Sequence, residues 1–440
     1  MSDFRPLLQA WLNHAKTTAT VTGWQRHHPG HSLLTLQFEL GDYAGHWLEY
    51  LPEQPARFCY QATPGNQEYR LGLDLAWRTE ASGDQRLGEL AQAMAVARRS
   101  WLGTRAADLQ LSFPFHAAPL PETPPAALEL PALWLIARGG RAHACFSSRL
   151  EHFSSQRQAV LDQLATSLAT APPTPGTLQI QPVGDYADWE QRVRLALQAI
   201  DRGQLQKLVL ARELEVHSEQ PFTPALILQR LLAEDGHGLI YALGSADQCF
   251  LGATPETLVA LRTGQITADA LAGTAWPDSP ALEDSKNCRE QQHVVTAVVA
   301  ALTPWCAPGS VQIAARKKCP AGQLVHWRTR INGQAQPETT LMQLAAALHP
   351  TPAVGGFPPQ AAWQWLQTAR EQRTAWYSGG IGRIGADGDG QLWVALRSAL
   401  LRGTRARLQA GAGIVAGSDA ASEYQETGAK FGSMLAALQP

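Results

Sequence analysis

From Leu205 to Val216 the chain runs LQKLVLARELEV, with Leu208, Val209 and Leu210 placing apolar side chains on both faces, which predicts a strand covered on both sides. Before it, DYADWEQRVRLALQAIDRG shows helical spacing. Trp189, Val193, Leu197 and Ile200 form one stripe, Asp185 is a candidate N-cap, and Gly203 stops the helix. CFLGATPETLVAL and QITADALAGT follow as strands, and a helix is expected from about Ser285 to Leu302. GGIGRIGADGDGQLWVALRSALLRGTRARLQAGAGIV predicts consecutive strands, joined antiparallel by short turns at ADGDG and RGT. EYQETGAKFGSMLAAL closes the chain as a helix. The N-terminal part mixes short strands (RFCYQATPG, LWLIARGGRAHACF) with a helix around GELAQAMAVARRSWL. Two proline-dense stretches, residues 117–131 and 170–182, predict loops or linkers, because proline opposes both helix and central strand. The pattern as a whole is α+β.

Composition narrows the classes. The chain has 440 residues, 45% of them hydrophobic, enough to bury a sizeable core. The formal net charge is -2, and no basic run is interleaved with aromatics, so no nucleic-acid partner is expected. Six cysteines, at 59, 145, 249, 288, 306 and 319, make no CxxC pair or zinc spacing, which fits reduced thiols in a cytoplasmic protein. MSDFRPLLQAWLNHAK lacks a signal-peptide core, and no apolar run reaches spanning length, so no membrane segment is expected. His27 and His28 read as a polar surface pair.

Several polar residues sit in apolar surroundings. Lys207 opens the double-faced strand. Unpaired and buried, its ammonium would be driven toward the neutral amine, a competent general base; alternatively it snorkels out at the strand's end. Glu256, after Pro255, could be aimed into a cleft or be a solvated turn residue. Arg397, in LWVALRSALL, needs an anion if buried, either a protein carboxylate or a ligand's. Glu290 lines up with Val294 and Ala297 on the apolar side of its helix, which calls for a metal or a buried partner. Glu423, Glu426 and Lys430 share a face of the last helix, and Glu426 with Lys430 reads as an ordinary i,i+4 surface pair. Gly411-x-Gly413-x-x-Ala416 formally matches a dinucleotide fingerprint, but no room is left for the second parallel strand of such a unit. Glycines that offer backbone N–H groups to an anion fit better.

Taken in order, KLVLAR, FLGATPETL, LAGT, KNCRE, LHPTPAVGG, WYSGGIG, VALRSA and AGAGIVAGSDAASEYQETGAK resemble the chorismate-utilising enzymes, and among them the isochorismate synthases most closely. These pieces span about residues 205–430. RFCYQATPG and YRLGLDLAW are similar to the same family more loosely. The resemblance implies one α+β domain of large antiparallel sheets flanked by helices. Residues 1–182 would be a divergent part of that fold and 183–440 the catalytic region. It implies that Lys207 activates a water and that Glu256 protonates the departing hydroxyl. Glu290 and Glu426 would hold Mg²⁺. Tyr377, Arg397, Gly413 and Lys430, with Gly411 in the same run, would surround the substrate carboxylates. Gly273 and Thr274 would line the pocket near the ring, with His326 close by. Water would attack chorismate at C2 as the C4 hydroxyl leaves.

Two positions choose among relatives. Ammonia-using members have a glutamine at the place of Lys207, and aminodeoxychorismate synthases a nucleophilic lysine at the place of Ala272. Both residues here favour water, so no glutamine amidotransferase subunit is expected, and a monomer is. LHPTPAVGG resembles isochorismate synthases more than salicylate synthases, which would go on to eliminate pyruvate. A non-catalytic chorismate-binding protein would be expected to lack the acid and base. The product of such an enzyme feeds menaquinone, a siderophore or salicylate. One departure stands before Tyr377: many relatives have an arginine where this chain has Thr374, and Arg373 is displaced by one, while Ala375 replaces an acid. This puts local loop contacts in question.

Overall fold

The computed structural model describes residues 3–28, 30–52, 56–103, 107–118, 122–166, 177–234 and 238–439. Two large sheets dominate it, one of thirteen strands and one of ten among the described residues. All their pairings are antiparallel except that of Leu33–Asp42 with Trp101–Gly103. Residues of both sheets contribute to one continuous apolar core.

The double-faced apolar run forms the strand Lys207–Ser218, buried along most of its length. It pairs with Arg405–Val415 in a register that sets Lys207 opposite Val415, Val209 opposite Gly413 and Ala211 opposite Gly411. Its other edge is shared by Leu178–Val183 and the short strand Gly356–Phe357. The preceding helix is Tyr186–Asp201, with the Asp185 side chain accepting the Asp188 N–H at 2.8 Å and Gly203 in the left-handed region just past its end. The helix Ser285–Leu302 packs its Val294 and Val298 side against Gln265–Ala275, and the closing helix Ala420–Leu438 lies on Arg405–Val415.

The proline-dense stretches are only partly loops. Ala126–Leu130, between Pro125 and Pro131, is a strand pairing with Asp108–Phe113 and Trp77–Ala81. Those five residues keep all their backbone donors, and the ladder on both sides outweighs the flanking prolines. Leu178–Val183 is also a strand, and Pro182 is tolerated there because it lies at the sheet's edge. Residues 167–176 lie outside the described residues.

Both sheets mix residues from before and after position 182. Phe58–Thr63 pairs with Leu239–Gly244 in the first, and Asp108–Phe113 with Gly380–Gly385 in the second. The chain crosses from the second sheet to the first between Gly390–Val394 and Ser398–Arg402. Arg397 sits at that crossing with φ of 49°, a left-handed conformation uncommon for a side-chain-bearing residue. Among the described residues no helix is long and apolar enough to cross a membrane.

Candidate active site

One pocket draws on both sheets and two helices. Its wall includes Glu256, Thr274, Glu290, His326, Tyr377, Arg397, Gly411, Gly413 and Lys430. The remaining sequence-predicted residues stand directly behind these. Lys207 bonds Glu290, Gly273 precedes Thr274, and Glu426 bonds Lys430. All twelve are therefore gathered at one place, although the first, Lys207, and the last, Lys430, are far apart in sequence.

Lys207 is 1% exposed, so it does not snorkel. Nor is it unpaired: its Nζ lies 2.9 Å from Glu290 Oε1. An opposite charge at that distance offsets burial, which corrects the expectation of an isolated buried amine. The same contact supplies the buried partner that Glu290 was expected to need. Gly413 makes room for the pair. A Cβ built there would stand 2.5 Å from Glu290 Oε1 and 2.9 Å from Lys207 Cε.

Glu426 and Lys430 are not a surface pair. Lys430 Nζ bonds Glu426 at 2.6 Å and also donates to the Gly411 carbonyl at 2.8 Å, deep in the pocket. Burial pulls the Glu426 carboxyl upward, but Lys430, Lys286 and a hydrogen bond from Thr274 outweigh it and hold it below the ordinary range. Glu423 is 1% exposed and takes Lys286 Nζ at 2.6 Å and Ser418 Oγ at 2.8 Å. Burial, with the neighbouring Glu426 charge, raises the Glu423 carboxyl. This end of the pocket thus carries three carboxylates, each matched to a lysine. Hard oxygen donors held by ammonium groups suit a hard divalent cation. Among the described residues no three potential ligands cluster tightly enough to cage one without further oxygens from water or a ligand.

The other end is different. Among the described residues no carboxylate lies within ion-pair reach of Arg397. Its Nη1 donates to the Lys430 carbonyl at 3.4 Å, and its Nη2 lies 3.2 Å from His326 Nε2. Burial pulls the guanidinium down to about 10, against the pull of Tyr377 and Glu426. Burial also holds His326 well below its usual value, reinforced by Arg397 and Lys430. The ring is therefore neutral: Nε2 accepts from Arg397, and Nδ1–H donates to Thr274 Oγ1 at 3.1 Å. Thr274 is set by a bulge at Gly273, whose φ is 66° and whose added Cβ would press on the Asn287 carbonyl at 2.9 Å. The Thr274 N–H is tied to Asn287 Oδ1 at 3.1 Å.

Past Gln409 the strand Arg405–Val415 has lost its Ser398–Arg402 partner. Val209 N–H goes to the Gly355 carbonyl and Ala211 N–H to Glu371, both away from Gly413 and Gly411. These are therefore non-hydrogen-bonded pairs, and the two glycines turn their own N–H groups away from the Lys207 strand, on the pocket side. Tyr377 is buried beside them, its hydroxyl pushed up to about 12 by that burial.

Glu256 is 3% exposed, and burial, with Asp269 adding to it against Lys207 and Lys430, raises its carboxyl to about 8. It is a protonated acid at neutral pH. A protonated carboxyl and a lysine on one pocket are the groups a paired proton transfer needs.

Sequence reasoning missed Arg373, Asn287 and Glu423. Arg373 lines the pocket, donating to the Val209 carbonyl at 2.9 Å and standing over the Phe115 and Tyr377 rings. Ala375 and Ser378, on either side of Trp376 and Tyr377, are in left-handed conformations, and Thr374 turns to Glu213. Asn287 and Glu423 each lie three residues before a predicted metal ligand, one helical turn away, and that spacing was a usable signal. Arg373 was noticed only as an arginine displaced by one residue, not as part of the pocket.

Comparison with known proteins agrees with this geometry. A family model described as chorismate binding enzyme matches residues 20–439. The salicylate biosynthesis isochorismate synthase of Pseudomonas aeruginosa is 33% identical over 283 residues, covering 60% of this chain and 58% of that protein. The chain thus matches less than two thirds of that relative's length. The isochorismate synthase DhbC of Bacillus subtilis is 33% identical over 281 residues, covering 60% of this chain and 70% of its own. In fold, the structure of MenF, the menaquinone-specific isochorismate synthase from Escherichia coli, superposes with a TM-score of 0.79 over 96% of this chain and 99% of that one, at 24% identity.

Proposed function

The chain belongs to the chorismate-binding enzyme family, and from that premise we propose that it is an isochorismate synthase, converting chorismate reversibly to isochorismate. Water adds at C2 of the ring, the double bonds shift, and the C4 hydroxyl leaves. What supports this reading most is the company Arg397 keeps: a half-buried guanidinium with no carboxylate in ion-pair reach among the described residues, on a pocket whose wall carries a carboxyl protonated at neutral pH and behind which a buried lysine stands.

Arg397 and the N–H groups of Gly411 and Gly413 bind one substrate carboxylate, with Tyr377 beside it. Glu290 and Glu426 would hold Mg²⁺, which would supply a fixed positive charge for the other carboxylate. Thr274, Gly273 and His326 shape the wall near the ring. Lys207 takes the proton from the attacking water, and Glu256 gives its own to the departing hydroxyl. Lys207 acts as a base only in its uncharged form, so its ion pair with Glu290 opens first. Lys430 bridges Glu426 and the Gly411 carbonyl. Ala272 offers no nucleophile, so no covalent intermediate forms and no amidotransferase subunit is needed. The protein works as a cytoplasmic monomer.

The test is product analysis after incubating the purified protein with chorismate and Mg²⁺. Isochorismate in equilibrium with chorismate is expected. Salicylate with pyruvate would make it a salicylate synthase, and binding without turnover would make it a non-catalytic chorismate binder.

A further inference from the structure

A second cavity, of about 300 Å³, lies on the far side of the loop that runs from His349 to Gly356. Asp84, Ala346 and Gln360 stand exposed around it, and Phe115, Trp363 and Leu87 give it an apolar wall. Two polar side chains in this wall lack the partners that burial demands.

The first is Arg86, which is 8% exposed. Its Nη1 donates to the Gly83 carbonyl at 3.3 Å and its Nη2 to the Pro114 carbonyl at 3.4 Å, both long, while Nε is buried with no partner. Among the described residues no carboxylate stands within ion-pair distance of it. A buried guanidinium that keeps its charge calls for an anion. The second is His349. Its Nε2–H donates to the Ser378 carbonyl at 2.9 Å, and burial, with the charges of Arg86 and Arg373 behind it, holds the ring down at about 3. The neutral ring therefore leaves a lone pair on Nδ1, which is buried and unpartnered. It can only accept. Both groups border the same ring: Arg86 lies 5.9 Å and His349 5.0 Å from the centre of Phe113.

We propose that this cavity binds a small carboxylate that also carries a hydroxyl group on a flat apolar body, a hydroxybenzoate in chemical type. The carboxylate lies on Arg86, the hydroxyl donates to His349 Nδ1, and the ring rests against Trp363 and Leu87. A carboxylate alone leaves His349 unsatisfied, and a phenol alone leaves Arg86 so. The site is placed to report to the catalytic pocket. Pro350 and Pro352 border this cavity, while Ala353 and Val354 of the same loop line the other pocket. The carbonyls of Gly355 and Phe357 accept from Val209 and Gln206, on either side of Lys207. The ligand is thus an effector bound outside the catalytic pocket.

Titration calorimetry on the whole protein, without chorismate, tests this whether or not the isochorismate reading holds. The probe is 2-hydroxybenzoate, with benzoate and phenol as controls. One saturable site is expected, weaker for each control, unaffected by Arg397→Met and weakened roughly 10- to 100-fold by Arg86→Met. Ala346→Trp, an exposed change at the mouth, gives the same loss by blocking entry and serves if Arg86→Met does not fold. No saturable binding, binding that survives both changes, or binding lost only with Arg397→Met would overturn the proposal.

Discussion

The two ends of the catalytic pocket handle buried charge in opposite ways. At the carboxylate end every charge is already matched: Lys207 with Glu290, Lys430 with Glu426 and Lys286 with Glu423. At the other end, among the described residues, Arg397 has a neutral histidine and a backbone carbonyl as hydrogen-bond partners and no carboxylate within ion-pair reach. The first end is balanced within the protein and can exchange one cation for another. The second is balanced only when an anion arrives from outside. A buried pair costs a fold little beyond its desolvation, whereas a lone buried charge is tolerated where a ligand completes it. On the proposed reading, the metal belongs to the first end and the substrate carboxylate to the second.

The largest expected effect comes from Lys207→Ala. Turnover of chorismate should fall by about 10²–10⁴, the range of a lost general base, while circular dichroism shows a retained fold. Near-full turnover would remove Lys207 from the chemistry. Arg397→Met should cost about 2–5 kcal/mol of substrate binding, seen mainly in KM, because a substrate carboxylate is left unpaired. The same change should leave thermal stability equal or higher, since it removes an uncompensated charge. Glu426→Gln is the counterpart. It strands Lys430, so it should lower the melting temperature, and equal melting behaviour of the two variants would erase the contrast between the ends.

Glu290→Gln should raise the Mg²⁺ concentration needed for half-maximal activity by roughly tenfold or more. An unchanged Mg²⁺ titration would count against Glu290 as a ligand. The smallest effect is the pH profile. Because Glu256 must be protonated to act, kcat should decline as pH rises through about 8. The sign for stability is the same: the folded-state carboxyl is raised above its usual 4.5, so the contribution is complete at low pH and lost as pH rises toward 8. Glu256→Gln should flatten that part of the stability curve.

Much of this was legible in the sequence where periodicity and burial coincide. The helix Ser285–Leu302 was bounded by its apolar stripe, and Asp185 and Gly203 marked their helix by ordinary capping chemistry. The strand Ala126–Leu130 was hidden because its partners are brought in by tertiary structure rather than by its own composition. Lys207 was conspicuous as a charge in an apolar run, but its partner Glu290 lies over eighty positions away, and no local pattern joins them. The Glu426–Lys430 spacing misled, since an i,i+4 pair looks alike on a surface and inside a pocket. Gly413 was read as a glycine that lets backbone N–H groups meet an anion; that it also makes room for the Lys207–Glu290 pair no sequence pattern shows.

The account rests on water as the nucleophile, activated by Lys207 and not replaced by migration of the ring's own hydroxyl. Turnover of chorismate in water enriched in ¹⁸O, followed by mass spectrometry of the product, addresses this directly. Isochorismate carrying one ¹⁸O at the C2 hydroxyl is predicted, with no label introduced by the Lys207→Ala variant. Isochorismate formed without label would contradict it.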